Sequence, residues 1–209
     1  MKSAPAKTKR LTSNGKHPGP AWDVALLFPE QGEWSVQEYL DLPGNRLIEY
    51  TDGHLEFLPM PTTSHQWIVF LFHQMLQQFV WPHLGLALFA PLRIRISKKK
   101  FREPDVVFML NEHKDRIGDE YWTAADLAME VVSPGKKARQ RDLVDKRQEY
   151  ARAGIREYWI IDPRLREIIV YQLKAKKYFR IGIFKKGTQA VSRLLPGFTV
   201  DVDAIFAKP

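Results

Sequence analysis

The sequence predicts an α/β fold in which a central mixed β-sheet is flanked by α-helices, and three observations carry that reading. Strand-like runs are interleaved with long helical patterns. Runs at 106–110, 127–132 and 158–161 are short and almost wholly apolar, as buried strands are. The composition, 44% apolar and 12% aromatic over 209 residues, is that of an ordinary globular chain with one sizeable core.

Each element has its own signal. WSVQEYLDLPG, residues 34–44, reads as a short helix capped by Ser35 and stopped by Pro43 and Gly44. RLIEYTDGHLEFLPMP alternates around Thr51, Asp52 and Gly53, and the Asp-Gly pair marks a tight hairpin with Glu49 and Glu56 at similar distances on its two arms. SHQWIVFLFHQMLQQFV, residues 64–80, contains no Gly or Pro. Its Ile68, Leu71, Phe72, Met75, Leu76 and Phe79 recur with the helical period, which leaves His65, Gln66 and His73 off the apolar stripe.

GLALFAPLRIRISKKKFREPDVVFML is expected to form two strands joined by a basic turn at 98–100. The first is half-exposed, with Leu92, Ile94 and Ile96 alternating with Arg93, Arg95 and Ser97; the second, 106–110, is buried. A loop over 111–126 precedes the strand LAMEVV, which Ser133 and Pro134 stop. RDLVDKRQEYARAG, residues 141–154, reads as a helix with Gly154 as its C-cap, and EYWIIDP as another buried strand. The remaining EIIVYQLKAKKYFRIGIF and GFTVDVDAIF are expected to add a hairpin and a final short strand or turn to the same sheet.

Charge and composition exclude several classes. The chain has no cysteine, so disulfide frameworks and thiolate metal sites are ruled out. It has no apolar run long enough to span a bilayer and no secretory h-region, so no membrane association and a cytoplasmic location are expected. Of the net charge of +8, five charges (Lys2, Lys7, Lys9, Arg10 and Lys16) lie in a Pro/Ser/Gly/Lys-rich stretch. Residues 1–20 are therefore expected to be a disordered basic tail and 21–209 a single, mildly basic domain.

Two acids stand where strands should be. Asp105 follows Pro104 at the mouth of one strand, and Glu130 lies inside another, in AMEVV. A buried carboxylate must be paired, protonated or on a metal, because leaving it charged and alone is costly. Adjacent strands would let the two acids share a hard cation, Mg²⁺ or Mn²⁺, with a carbonyl of Val131 and open positions for a phosphodiester. Asp142, Lys146 and Tyr150 recur at four-residue intervals, so Lys146 could face the acid pair and orient an attacking water or offset charge on phosphorus.

The ordinary roles of the same residues are a turn cap for Asp105, an ion pair to Arg93, Arg95 or Lys146 for Glu130, and a solvated face for Lys146. His65 would bond at the helix start, Tyr150, Tyr158 and Trp159 would pack in the core, Asp162 would form a turn, and Glu103 would point outward. The basic run RIRISKKKFR is either a solvated strand or a phosphate-tracking one.

Taken together, EPDVVF, EVVSP, RDLVDKRQEYARAGIREYWIIDP, IEYTDGHLEFLPMPTTSHQ and LPGFTVDV resemble the Uma-type endonuclease family, a branch of the restriction-endonuclease-like PD-(D/E)XK superfamily, from Trp34 onward. The resemblance implies a restriction-endonuclease-like core and a metal-dependent hydrolase acting on DNA phosphodiesters. Asp105 matches the PD aspartate and Glu130 the acidic residue of the second element, both as metal ligands. Val132 stands where the superfamily has lysine, and Lys146 on the next helix is the matching position. His65 and Glu49 match further family positions, as supporting groups or a third ligand. The partners implied are DNA and, for cutting both strands, a second copy of the chain; the alternative is a weak or inactive nuclease-fold module that binds nucleic acid or protein.

Overall fold

A computed structural model describes residues 28–42 and 47–207. The basic tail at 1–20 and the Pro43-Gly44 stop lie outside the described residues. Helix α1 (Val36–Leu40) begins on a reciprocal cap: Ser35 Oγ accepts from the Glu38 N–H at 3.1 Å, and the Glu38 carboxylate accepts from the Ser35 N–H at 2.8 Å. Strands β1 (Ile48–Thr51) and β2 (His54–Phe57) form the expected hairpin, with Glu49 directly opposite Glu56. Gly53 is required there twice over. Its φ is +85°, and a Cβ would fall 2.2 Å from the Gly32 carbonyl oxygen.

Helix α2 (Thr63–Val80) is capped by Thr62, whose Oγ1 accepts from the His65 N–H at 3.2 Å. It buries Ile68, Val69, Phe72, Leu76 and Val80. The stretch after it makes four strands rather than two: β3 (Gly85–Phe89), β4 (Ile94–Ser97), β5 (Lys100–Arg102) and β6 (Val106–Leu110). Pro91, with no N–H to donate to a ladder, separates β3 from β4. The basic turn at Lys98 and Lys99 folds β4 back onto β5, so the half-exposed strand does not meet the buried β6. An amphipathic strand is satisfied in a sheet with a wet face, whereas the apolar β6 needs cover on both sides.

A 3₁₀ turn (Asn111–Arg116) interrupts the expected loop, and β7 (Leu127–Val131) follows. The next helix starts earlier than the sequence suggests. Helix α3 (Lys136–Gln140), a π-helical turn (Arg141–Asp145) and α4 (Lys146–Ala153) run on without a break to Gly154 at φ +85°. Then come β8 (Glu157–Asp162), β9 (Glu167–Lys174), β10 (Lys177–Phe184), β11 (Gln189–Val191), β12 (Thr199–Asp201) and α5 (Val202–Ile205).

The main sheet has six strands in the order β10-β9-β8-β7-β6-β3. It is mixed: β7 and β8 are parallel, joined by the α3–α4 crossover that parallel neighbours need, and the other pairs are antiparallel. A second sheet has the order β2-β1-β5-β4. The C-terminal β11 and β12 pair only with each other, as a separate ribbon, and do not extend the main sheet as expected.

Strand alternation sends side chains to two cores. Val106, Phe108, Met129 and Trp159 pack with Phe72 and Leu76 of α2. Val107, Met109, Ala128, Tyr158 and Ile160 pack with Tyr150 of α4. Burying each such aliphatic or aromatic side chain is worth roughly 1.5–3 kcal/mol, enough to fix both helices against the sheet.

Candidate active site

The site lies where the β6–β7 pair opens. Val106 is opposite Met129 in the antiparallel register, which carries Asp105, one residue earlier, alongside Glu130. Asp105 Oδ2 accepts the Val131 N–H at 2.7 Å, tying the two strand ends together. The first turn of α2 brings His65 Nε2 to 3.4 Å from the same oxygen. Asp105 and His65 each keep 16% of their side-chain surface accessible, while Glu130 is buried behind them.

Glu130 is fixed from the helix side. Lys146 Nζ donates to both its oxygens at 2.9 Å, and the Tyr150 hydroxyl donates to Oε1 at 2.6 Å. Lys146 Nζ is also ion-paired with Glu49 Oε1, at 2.9 Å. Asp142, one turn earlier, accepts from the Ser133 N–H at 3.2 Å and from Arg141 Nε at 3.0 Å. The stripe of Asp142, Lys146 and Tyr150 is therefore buried in the site and not a solvated face.

Burial drives the electrostatics. It pushes the Glu130 carboxyl up to about 8, against the attraction of Lys146. Burial also opposes the Lys146 charge, but Glu130 and Glu49 outweigh it and hold the ammonium above the ordinary lysine range. His65 is disfavoured as a cation by burial, and its bond to Asp105 reverses this, so its pKa is raised. Glu103 is pushed up to about 7, first by burial and then by Glu49.

Several expectations change. Glu103 does not point outward: it is buried, and its N–H donates to Glu49 Oε1 at 3.3 Å. The partner of Glu130 is Lys146, not Arg93 or Arg95. Arg93 lies 4.7 Å over the Tyr39 ring and donates to the Leu40 carbonyl, and Arg95 donates to backbone carbonyls of its own turn. Val131 meets Asp105 through its amide. Lys146 Nζ donates to both oxygens of Glu130 and is ion-paired with Glu49. Of the basic run, Lys100 and Arg102 are locked onto Glu149 at 2.6 and 2.8 Å, so the solvent-facing charges are those of Lys98 and Lys99 at the turn. Tyr150, which sequence reasoning assigns to the core, is also a site residue. The signal was present, since it completes the stripe of Lys146.

The donor set suits a hard cation. A carboxylate offers about four lone-pair directions, and Glu130 uses three of them. Among the described residues Asp105 Oδ1 accepts no hydrogen bond, the buried Glu103 Oε2 and His65 Nδ1 have no hydrogen-bond partner, and Glu49 Oε2 has only Arg102 Nη1, at 3.6 Å. No cluster of three or more His, Asp or Glu donors converges among the described residues. Protein ligation by one or two carboxylates, completed by water and phosphate oxygens, is the habit of Mg²⁺.

A mixed sheet with helices on both faces and an acid pair at a strand mouth defines a restriction-endonuclease-like protein. Residues 36–203 match the Uma2 family, described as "putative restriction endonuclease", and the chain belongs to that family. The fold is similar to that of a crystal structure described as a "putative nuclease belonging to DUF820" from Anabaena variabilis. The TM-score is 0.68 at 20% identity, over 83% of this chain and 97% of that one. A comparison with curated proteins gave no match. No helix among the described residues is long and apolar enough to cross a membrane.

Proposed function

We propose that this chain is a metal-dependent endonuclease that hydrolyses DNA phosphodiester bonds, with Asp105 and Glu130 as the ligands of Mg²⁺ or Mn²⁺. The observation that supports this best is the side-by-side placement of a partly open aspartate and a rigidly held glutamate at the mouth of two paired strands. The cation, when bound, supplies Lewis-acid polarisation of the scissile phosphate and activation of a water.

The chain's own residues do the rest. Lys146 and Tyr150 hold the Glu130 carboxylate in one orientation, and Glu49 holds Lys146. The Val131 N–H fixes one oxygen of Asp105 and leaves the other for ligation. His65, with its raised pKa, carries a proton beside the phosphate and offsets developing charge or gives that proton to the departing oxygen. Water oxygen bonds to phosphorus as the bond to the leaving oxygen breaks. One centre cuts one strand, so cleavage of both strands of a duplex calls for a homodimer.

A second reading, a nuclease-fold module that binds nucleic acid or protein without cutting it, is favoured by the enclosure of Glu130, which is buried and already accepts from Lys146 and Tyr150. Plasmid nicking with Mg²⁺ or Mn²⁺ separates the two. Wild type should nick, and Asp105→Asn and Glu130→Gln, each confirmed folded by circular dichroism, should lose activity by about 100-fold or more. Intact plasmid, linear and single-stranded DNA after incubation with wild type would leave only the binding module.

A further inference from the structure

Beside the site, an unusual amount of aromatic surface faces solvent. Phe70 on α2 is 50% exposed and Phe89, the last residue of β3, is 49% exposed. Trp67 stacks on Phe70, with centroids 5.5 Å apart and planes at 26°. His73, one turn beyond Phe70 on the same helix, meets Phe89 edge-on at 4.7 Å. The four rings form two touching pairs along α2 and the end of β3, three residues apart on the helix, and the Phe89 end adjoins the site. Phe89 is opposite Val106, and Ala90, next to it, donates its N–H to the Asp105 carbonyl at 3.1 Å.

Exposed rings on an edge strand could serve self-association by strand addition, but this edge is closed. The Ala87 N–H is taken by Gln77 Oε1 and its carbonyl contacts His73 Nε2, both at 3.1 Å, so α2 side chains occupy the central backbone groups a new strand would need. The position of the rings beside the phosphodiester site points to a nucleic-acid strand instead. Neither α2 nor β3 contains Asp, Glu, Lys or Arg, so they offer flat rings without a fixed charge that would repel a polyanion.

We infer that the row formed by Trp67, Phe70, His73 and Phe89 is a stacking surface for unpaired bases of the substrate strand, so that the enzyme engages single-stranded or locally opened nucleic acid. This rests on the nuclease reading of the adjacent site. Flat rings suit the purpose because every base has a π-face, which gives binding without sequence readout.

The test is fluorescence anisotropy with a labelled oligothymidylate and with a duplex of equal length, in EDTA so that nothing is cut. Wild type should prefer the single strand. Phe70→Ala and Phe89→Ala should each weaken single-strand binding by roughly 5- to 100-fold and change duplex binding by less than about 2-fold. Phe70→Leu, which keeps apolar area but removes the ring, should behave like the alanine variant. Sedimentation should show the same oligomeric state throughout. Unchanged single-strand affinity in the variants would overturn the stacking surface and leave the nuclease reading intact. A dimer converted to monomer would also overturn it, by assigning the row to self-association. Wild type that binds neither DNA would also overturn the stacking surface, and plasmid nicking with Mg²⁺ or Mn²⁺ then decides the nuclease reading separately.

Discussion

Lys146 donates to both carboxylate oxygens of Glu130, each at 2.9 Å, from a helix that packs across the strand carrying that acid. In the superfamily pattern the lysine sits two residues after the acid on the same strand. Here that position is Val132, buried in the same core cluster as Ala128 and Tyr150. The cation therefore reaches the carboxylate from a different element. Ion-paired with Glu49 as well, at 2.9 Å, it ties the two buried acids together.

Removing the clamp should be expensive. Lys146→Met leaves Glu130 buried without its cation, and breaking a buried pair in this way costs about 3–5 kcal/mol once the carboxyl is ionised. Urea unfolding at about pH 9, above the Glu130 pKa of about 8, should show that loss. Adding Glu130→Gln to Lys146→Met should recover part of it there, since one stranded charge disappears. Strictly additive losses would mean that the two residues are not coupled.

Metal binding should depend on pH through Glu130. Its folded pKa, raised to about 8, means that across the range from the ordinary glutamate value up to about 8 the folded protein keeps a proton the unfolded chain has lost. Stability contributed by this group therefore declines as pH rises through that window. A bound cation replaces the proton, so thermal stabilisation by Mg²⁺ should grow between about pH 6 and about pH 9. Scanning calorimetry with and without Mg²⁺ reads this directly. A shift that is flat with pH, or that persists in Glu130→Gln, would remove Glu130 from the ligand set.

Glu157 predicts a purely structural effect. It is fully buried at the start of β8 and accepts from Trp159 Nε1 at 2.7 Å, Ser192 Oγ at 2.7 Å, Arg193 N at 2.6 Å and Leu194 N at 2.9 Å. Glu157→Gln turns an acceptor into a donor against these N–H groups and should destabilise by about 2–4 kcal/mol. Guanidinium unfolding would show it, while Mg²⁺ affinity of the folded fraction should stay at the wild-type value. A weakened metal site would reveal coupling between the C-terminal segment and the acid pair.

Glu157 also marks a limit of sequence reading. Only Trp159 among its partners is near it in the chain, and the other three lie about the C-terminal ribbon. Asp105, Glu130 and Lys146 were legible because strand-embedded acids and a four-residue stripe are local patterns. The hairpin around Gly53 and the cap at Ser35 were legible for the same reason. The destination of β4 was not, since an alternating strand says which face is wet but not which sheet receives it. Nor was the inward turn of Glu103, which depends on Glu49 arriving from a hairpin far back in the chain.

The acid limb of stability should carry the signature of Asp162. Its carboxylate accepts from Arg139 Nη2 at 2.7 Å and from the N–H groups of Arg164 and Leu165 at 3.0 and 3.2 Å, pinning the last turn of α3 to the end of β8. Burial opposes the charge, but the Arg139 bond outweighs it and the pKa is lowered. The stabilisation is therefore complete above the ordinary aspartate range and is lost as pH falls through the lower folded value. Asp162→Asn should cost about 1–2 kcal/mol at neutral pH, and its deficit relative to wild type should shrink as the medium is acidified. Paired urea titrations at neutral and acidic pH measure that difference. A deficit that stays constant into strong acid would show that the contact acts through shape alone and not through charge.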